Sequence, residues 1–404
     1  VSTATASRPA APPRGIRALQ GAPGATRLLV VSLLARIPMA ALGVVLLVHA
    51  REITGGYAAA GLVTGAYAVA FACSGPVLGR LVDRRGQPPV IITAGAVGAL
   101  ALTALALLPA EAGTAGLAAV AAVAGAATPP LGPALRGLWP RLLHGPERVH
   151  AAYALESGLL ELTYILGPPL LLAVAAWSSR AAIEICGLLL LCGSVAFALQ
   201  PAARSAKGAP SRHRAPGSAL RAPGLRTLAL ATLLLGALLG AVEVAETATA
   251  TEAGGTGVTG LLLGLWGAGS LAGGLAAAHR GPARDPGRGL LVLTSALALA
   301  HLPLALAGLH LVALSALLVA AGAVVAPVFA AMHGMIDAVA RAGTTTEAFA
   351  WVTTSIGGGI AIGAPLAGVL TDAVGPSAGF VAAAVAGLLG AAVVALRLGT
   401  LPRG

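Results

Sequence analysis

Twelve apolar runs, each about 20 residues long, occupy nearly the whole chain, and no other feature limits its fold as much. A helix rising ~1.5 Å per residue crosses the ~30 Å hydrocarbon layer in about that length. The runs lie at roughly 28–50, 57–79, 89–109, 114–136, 150–175, 181–201, 227–249, 257–279, 289–308, 310–333, 347–371 and 379–397. The chain is 57% hydrophobic and only 10% charged, with a mean hydropathy of +0.89, which excludes an ordinary soluble domain. The expected fold class is an all-α polytopic membrane protein with twelve transmembrane helices. Its 55 Gly and 27 Pro would suggest disorder in a soluble chain. In membrane helices they are common, because neighbouring helices satisfy freed backbone groups and Gly permits close packing.

The charges orient the spans. With the N-terminus inside, all but three of the 25 Lys and Arg residues fall in inner segments. The exceptions are Arg51 and Arg180 outside and Arg36 within span one. This is the positive-inside pattern. The net charge of +11 therefore reports topology and implies no nucleic-acid partner. We expect a multi-pass protein of the cytoplasmic membrane with both termini cytoplasmic. Residues 1–27 read as a mobile cytoplasmic tail and residues 202–226 as an unstructured cytoplasmic linker rich in Pro, Ala and basic residues. Residues 28–201 and 227–397 would be two six-helix halves, with 398–404 a second tail. Cys73, Cys186 and Cys192 lie in apolar runs at no metal or redox spacing, and no cofactor is expected.

The halves repeat each other. "GLVTG" (Gly61 to Gly65) in span two matches "GLLLG" (Gly260 to Gly264) in span eight. "ILGPPL" in span five, with Gly167 and Pro168, matches "AIGAPL" in span eleven, with Gly363 and Pro365. Six-helix halves of parallel topology, binding substrate between them near mid-membrane, are a transporter architecture. These glycines and prolines are read as hinge and packing positions.

Between spans two and three stands "GRLVDRRGQ". It resembles the signature loop of the major facilitator superfamily, G-x-L-x-D-R-x-G-R-R, in Gly79, Leu81, Asp83, Arg84 and Gly86; Gln87 and Pro88 replace the last two basic positions. The resemblance extends over essentially the whole chain from Leu28. It implies that Asp83 sits near the N-terminus of helix eleven and helps lock the cytoplasmic side. A helix N-terminus, with free N–H groups and about half a positive charge, attracts a carboxylate. Helix eleven begins "TTTEAFAW", in which Thr344 and Glu347 fit a capping box. Arg136, ending span four, is expected to pair with Asp83 or another nearby carboxylate. "GPP" in span five partly resembles the family's antiporter signature, although Thr163 replaces a glycine, and it should let helices two and five approach. The fragment favours export.

Ionisable residues inside spans are costly and mark function. Arg36 lies in span one, and Glu156 and Glu161 lie in span five. Since the family fold makes these helices neighbours, an Arg36–Glu161 pair is the first expectation. Glu243 and Glu246 are three apart in span seven, hence on one face, where two carboxylates disfavour joint ionisation. One of them could bind and release a proton. No HExxH, GxSxG or Walker A sequence appears, so neither an enzyme nor a metal site is expected. The expected function is proton-coupled export of small organic molecules by a monomer in a bilayer with anionic inner-leaflet lipids. Alternatives are an importer or sugar-type carrier of the same fold and, more remotely, a non-transporting sensor or scaffold.

Overall fold

A computed structural model describes residues 15–20, 22–208, 217–253, 256–307 and 311–403. Twelve helices are long and apolar enough to span a membrane: α1 (Ala25–Thr54), α2 (Ala59–Arg85), α3 (Gln87–Leu107), α4 (Ala110–Leu142), α5 (Pro146–Trp177), α6 (Ser179–Ala198), α7 (Pro223–Ala250), α8 (Val258–Arg280), α9 (Pro286–Leu306), α10 (Leu311–Val339), α11 (Thr345–Val374) and α12 (Pro376–Leu396). The fold is all-α, in two six-helix halves. The end of the bundle carrying the α2–α3 turn and the central segment is called here the linker side, and the opposite end the far side.

Three spans are broken where the sequence demands it, one of them α9, interrupted between His301 and Leu304 at Pro303. Helix α1 is interrupted at Arg36, which ends Ala25–Ala35 and precedes Ile37–Thr54, with Pro38 at the start of the second piece. Proline cannot donate to the ladder and crowds the preceding turn. Helix α4 is interrupted between Ala126 and Leu131, at Pro129 and Pro130. Span four is thus not the continuous helix expected over 114–136.

The segments outside the spans are more ordered than expected. Residues Gly15–Leu19 form a 3-10 turn whose Ala18 and Leu19 are fully buried in the core. The linker is likewise partly structured, with short helical turns at Pro201–Ser205 and Ala219–Arg221. Apolar residues in these segments (Leu19, Ala203, Ala219) bury against the bundle, which offsets the entropy of ordering them. At the chain's other end Leu401 is buried, and Arg397 donates to Thr227.

The core is distributed unevenly. One continuous cluster includes residues of both halves, among them Leu28, Tyr153, Met332 and Phe349. A second cluster, from Ala41 to Leu190, belongs to the N-terminal half alone. The halves therefore share a core at one level of the bundle and part at another.

Candidate functional site

The closest backbone contacts between the halves form two antiparallel seams. Along α2 and α11, the Asp83 carboxylate accepts the backbone N–H of Thr346 (3.0 Å) and Glu347 (2.8 Å). One turn on, a Cβ on Gly79 would meet the Thr346 carbonyl at 2.9 Å and the Ala350 Cβ at 3.0 Å. Further on, Thr354 Oγ1 lies 3.2 Å from the position a Gly75 Cβ would take and donates to the Ala72 carbonyl (3.0 Å). Along α5 and α8, Gly158 abuts Leu271 and Gly274, Glu161 accepts from Ser270 Oγ (2.8 Å), and Ile165 approaches Gly267. Only glycine allows two backbones this close.

Beyond those contacts both seams open. Nothing lies within 4 Å of where a Cβ would stand on Gly61, Gly65, Gly260, Gly264, Gly357 or Gly368. The four repeat glycines therefore do not pack here, contrary to their expected role. The remaining hinge positions are filled. Gly167 faces Ile37 of α1 rather than α2, and Gly363 meets Ala237 of α7 in close backbone contact. Pro168 and Pro365 lie inside their helices.

At the linker-side end, three segments converge on one carboxylate. Glu347, 1% exposed, receives Arg80 in a bidentate pair (Nη2–Oε1 2.7 Å, Nε–Oε2 3.1 Å). Its Oε1 also accepts from Ser218 Oγ (2.9 Å) and the Ala219 N–H (3.1 Å), both in the linker. The capping box does not form. Thr344 donates instead to the Arg341 carbonyl, and Glu347 turns away from its own helix end. Asp83 caps the second and third N–H groups of α11 from another helix, which leaves Glu347 free for Arg80. Gly86 closes the turn at φ +89°, where a side chain would be strained, and supports α3. The side chain of Arg84 is exposed.

The expected Arg36–Glu161 pair is not made. Arg36 Nη2 lies 3.2 Å from Glu156 Oε1, and Arg136 Nε lies 3.1 Å from the same oxygen. Trp139 Nε1 donates to Glu156 Oε2 (3.2 Å). Arg136 thus meets Glu156 and not Asp83. The break at Arg36 places the guanidinium over Gly132, where a Cβ would stand 2.9 Å from Nη1. Glu161, a turn and a half further along α5, faces Ser270 across the seam. Of the other pair, Glu246 is fully buried and neither oxygen has a hydrogen-bond partner among the described residues, while Glu243 is exposed.

Sequence reasoning passed over Arg80, Ser218 and His333. Arg80 occupies a variable position of the signature loop and counted only as a topology marker. Its spacing was a usable signal, because Arg80 lies one turn before Asp83 on α2. Ser218 carried no signal, since its role needs the linker to fold back. His333 lies in an apolar run with no motif around it.

The chain resembles known proteins over nearly its full length. The profile of the Major Facilitator Superfamily matches residues 28–314, more than half of the chain. No curated protein matches by sequence. Among solved structures, it is similar to a human organic anion transporter (18% identity, 92% of this chain and 100% of that one, TM-score 0.66). It is also similar to a bacterial homologue of the iron transporter ferroportin in its outward-facing state (16% identity, 92% and 98%, TM-score 0.72). A third is the E. coli fucose:proton symporter (16% identity, 92% and 98%, TM-score 0.68). With the family profile matching residues 28–314 and the fold shared over 92% of its length, this chain belongs to the major facilitator superfamily.

Proposed function

We propose that this protein is a proton-coupled exporter of small organic molecules that works by alternating access. One observation carries the reading: the halves are sealed along one side and parted along the other. Rocking about the middle of the seams would exchange the two conditions. The basic linker side is the cytoplasmic one by the charge rule, with both termini there, so the described state opens outward. Residues 28–201 and 227–397 act as the moving bodies. Asp83, Arg80, Glu347 and Arg136 belong to the closed cytoplasmic side, with Gly79 and Gly86 giving the space they need. The partial antiporter fragment at Gly167 and Pro168 supports export over import. The protein acts as a monomer beside anionic inner-leaflet lipids, which its inner arginines favour.

Glu246 is the proposed proton carrier, with Glu243 one turn away. A buried carboxyl without partners is tolerated when protonated and costly when ionised. Proton binding then biases one state over the other. The test is uptake of a cationic dye and a panel of organic anions into everted vesicles under an imposed pH gradient. Gradient-driven accumulation is expected for wild type, and its dependence on the gradient should disappear in Glu246→Gln. Accumulation only in right-side-out vesicles would make the protein an importer. Unchanged gradient dependence in Glu246→Gln would remove that residue as carrier.

A further inference from the structure

His333 has neither a motif nor a place in the reading above, yet its surroundings are specific. It lies two turns from the linker-side end of α10 and is 2% exposed, and neither ring nitrogen has a hydrogen-bond partner among the described residues. Three aromatic rings surround it, with centroids at 6.0 Å (Tyr153), 6.0 Å (Phe329) and 5.9 Å (Phe349). Phe329 and Phe349 belong to its own half. Tyr153 comes from α5 of the other half and donates to the Arg136 carbonyl (3.3 Å). A phenyl ring would fill this space without two bare nitrogens, and buried polar atoms without partners are uncommon enough to need a reason.

The charges around the ring supply one. Those acting on it are the guanidiniums of Arg136 and Arg36, both from the N-terminal half. They share the single carboxylate of Glu156, so the triad keeps one excess positive charge. Several other titratable groups on adjoining elements face partners of their own. Glu161 faces Ser270, Glu347 faces Arg80, and His279 of α8 faces the Leu275 carbonyl. His150 of α5 faces Ala277. On α10 itself, Asp337 follows one turn on, is exposed, and accepts from Thr345.

We propose that His333 is a second proton-binding site, at the interface between the halves, whose charging breaks the linker-side seal. This rests on the alternating-access reading. The neutral imidazole packs as an aromatic ring when the seal is closed. An imidazolium there would be desolvated and would face the excess positive charge of the triad, and the ring faces of its cage compensate this only in part. Opening of the linker side separates His333 from Tyr153 and the two arginines and hydrates it. The proton comes from the linker-side water on opening and returns there on closing. Charge is thus favoured in the open state, so acid shifts the population toward it, by up to tenfold per pH unit through the range in which the ring titrates.

The test places spin labels on exposed residues of opposite halves, Glu147→Cys and Arg284→Cys, in a Glu246→Gln background with Cys73, Cys186 and Cys192 replaced by Ala, so that the proposed carrier adds no pH response of its own; wild type below means His333 in this background. The interlabel distance distribution is measured in detergent and in nanodiscs from pH 8 to pH 5. Wild type should move from the short to the long distance, with at least a tenfold rise in the open-to-closed ratio. His333→Phe should stay short throughout. Asp83→Asn in the His333→Phe background should lengthen the distance without pH dependence, showing that the labelled variant is folded and able to open. Acid opening of His333→Phe with the wild-type midpoint would overturn the proposal, as would a wild-type distance that ignores pH. If wild type opens in acid, His333→Phe does not, and Asp83→Asn leaves the distance unchanged, the Asp83 lock fails while the His333 site stands.

Discussion

Glu156 and Glu161 are one and a half turns apart on the same helix and do different work. Among the described residues Glu156 is the only carboxylate paired with the two buried guanidiniums of Arg36 and Arg136, and Trp139 holds its second oxygen. Its loss leaves two cations in a low-dielectric site, where an unpaired buried charge costs about 3–5 kcal/mol. Glu161 has one side-chain hydrogen bond, from the Ser270 hydroxyl, and no cation paired with it among the described residues, so its loss removes at most about 1.5–3 kcal/mol and strands no charge. Glu156→Gln should therefore lower stability to SDS or urea more than Glu161→Gln, measured by the unfolding midpoint in detergent. Equal losses would show that Arg36 and Arg136 do not depend on Glu156. The expectation of an Arg36–Glu161 pair rests on helices one and five being neighbours in the family fold, which does not separate Glu161 from Glu156. The break in α1 at Arg36 separates them, because it redirects the guanidinium over Gly132 toward Glu156.

At the level of elements, α2 and α11 meet as a zipper of small residues tipped by a charged clasp. A side chain on Gly79 would have to displace the backbone of Thr346 and Glu347, which a helix cannot yield cheaply. Gly79→Leu should hold the linker side open and reduce transport by more than tenfold, read as labelling of a linker-side cysteine such as Gln87→Cys by a membrane-impermeant maleimide. Gly61→Leu should leave that labelling at the wild-type level, since its Cβ enters open space in this state. Labelling of Gln87→Cys unaffected by Gly79→Leu would show that the seam does not limit closure. The contact between Asp83 and the first turn of α11 could be read from the signature loop and the TTTE start. Arg80 was signalled only by its spacing, one turn before Asp83 on the same helix. Ser218 and Ala219 carried no signal, because they reach Glu347 only when the linker returns to the bundle.

For the whole molecule, the register of the closed contacts predicts the opposite state. Gly79 lies against Ala350 and Gly75 against Thr354, so each turn toward the far side on α2 matches one turn toward the far side on α11. Continued in that register, Gly65 faces Ala364 and Gly61 faces Gly368. If rocking closes the far side, Gly61→Cys with Gly368→Cys should form a disulfide that is favoured by Asp83→Asn, read by gel mobility after mild oxidation. The same pair should not cross-link in a protein held in the described state by an Ala72→Cys, Thr354→Cys bond. Cross-linking of the first pair in that trapped protein would mean that the halves do not rock as rigid bodies.

The sequence by itself determined the number of spans and the chemical character of the α2–α3 turn. These follow from local quantities: the length of an apolar run and a short motif. Only the tertiary structure decided which acid meets which base, which glycines touch, and where Glu347 points. Those depend on breaks at Arg36 and at Pro129 and Pro130, and on the linker folding back to the bundle. Packing between distant helices, rather than helix formation itself, sets such contacts, and in a chain so rich in Ala, Gly and Leu many registers look alike until the backbones are brought together.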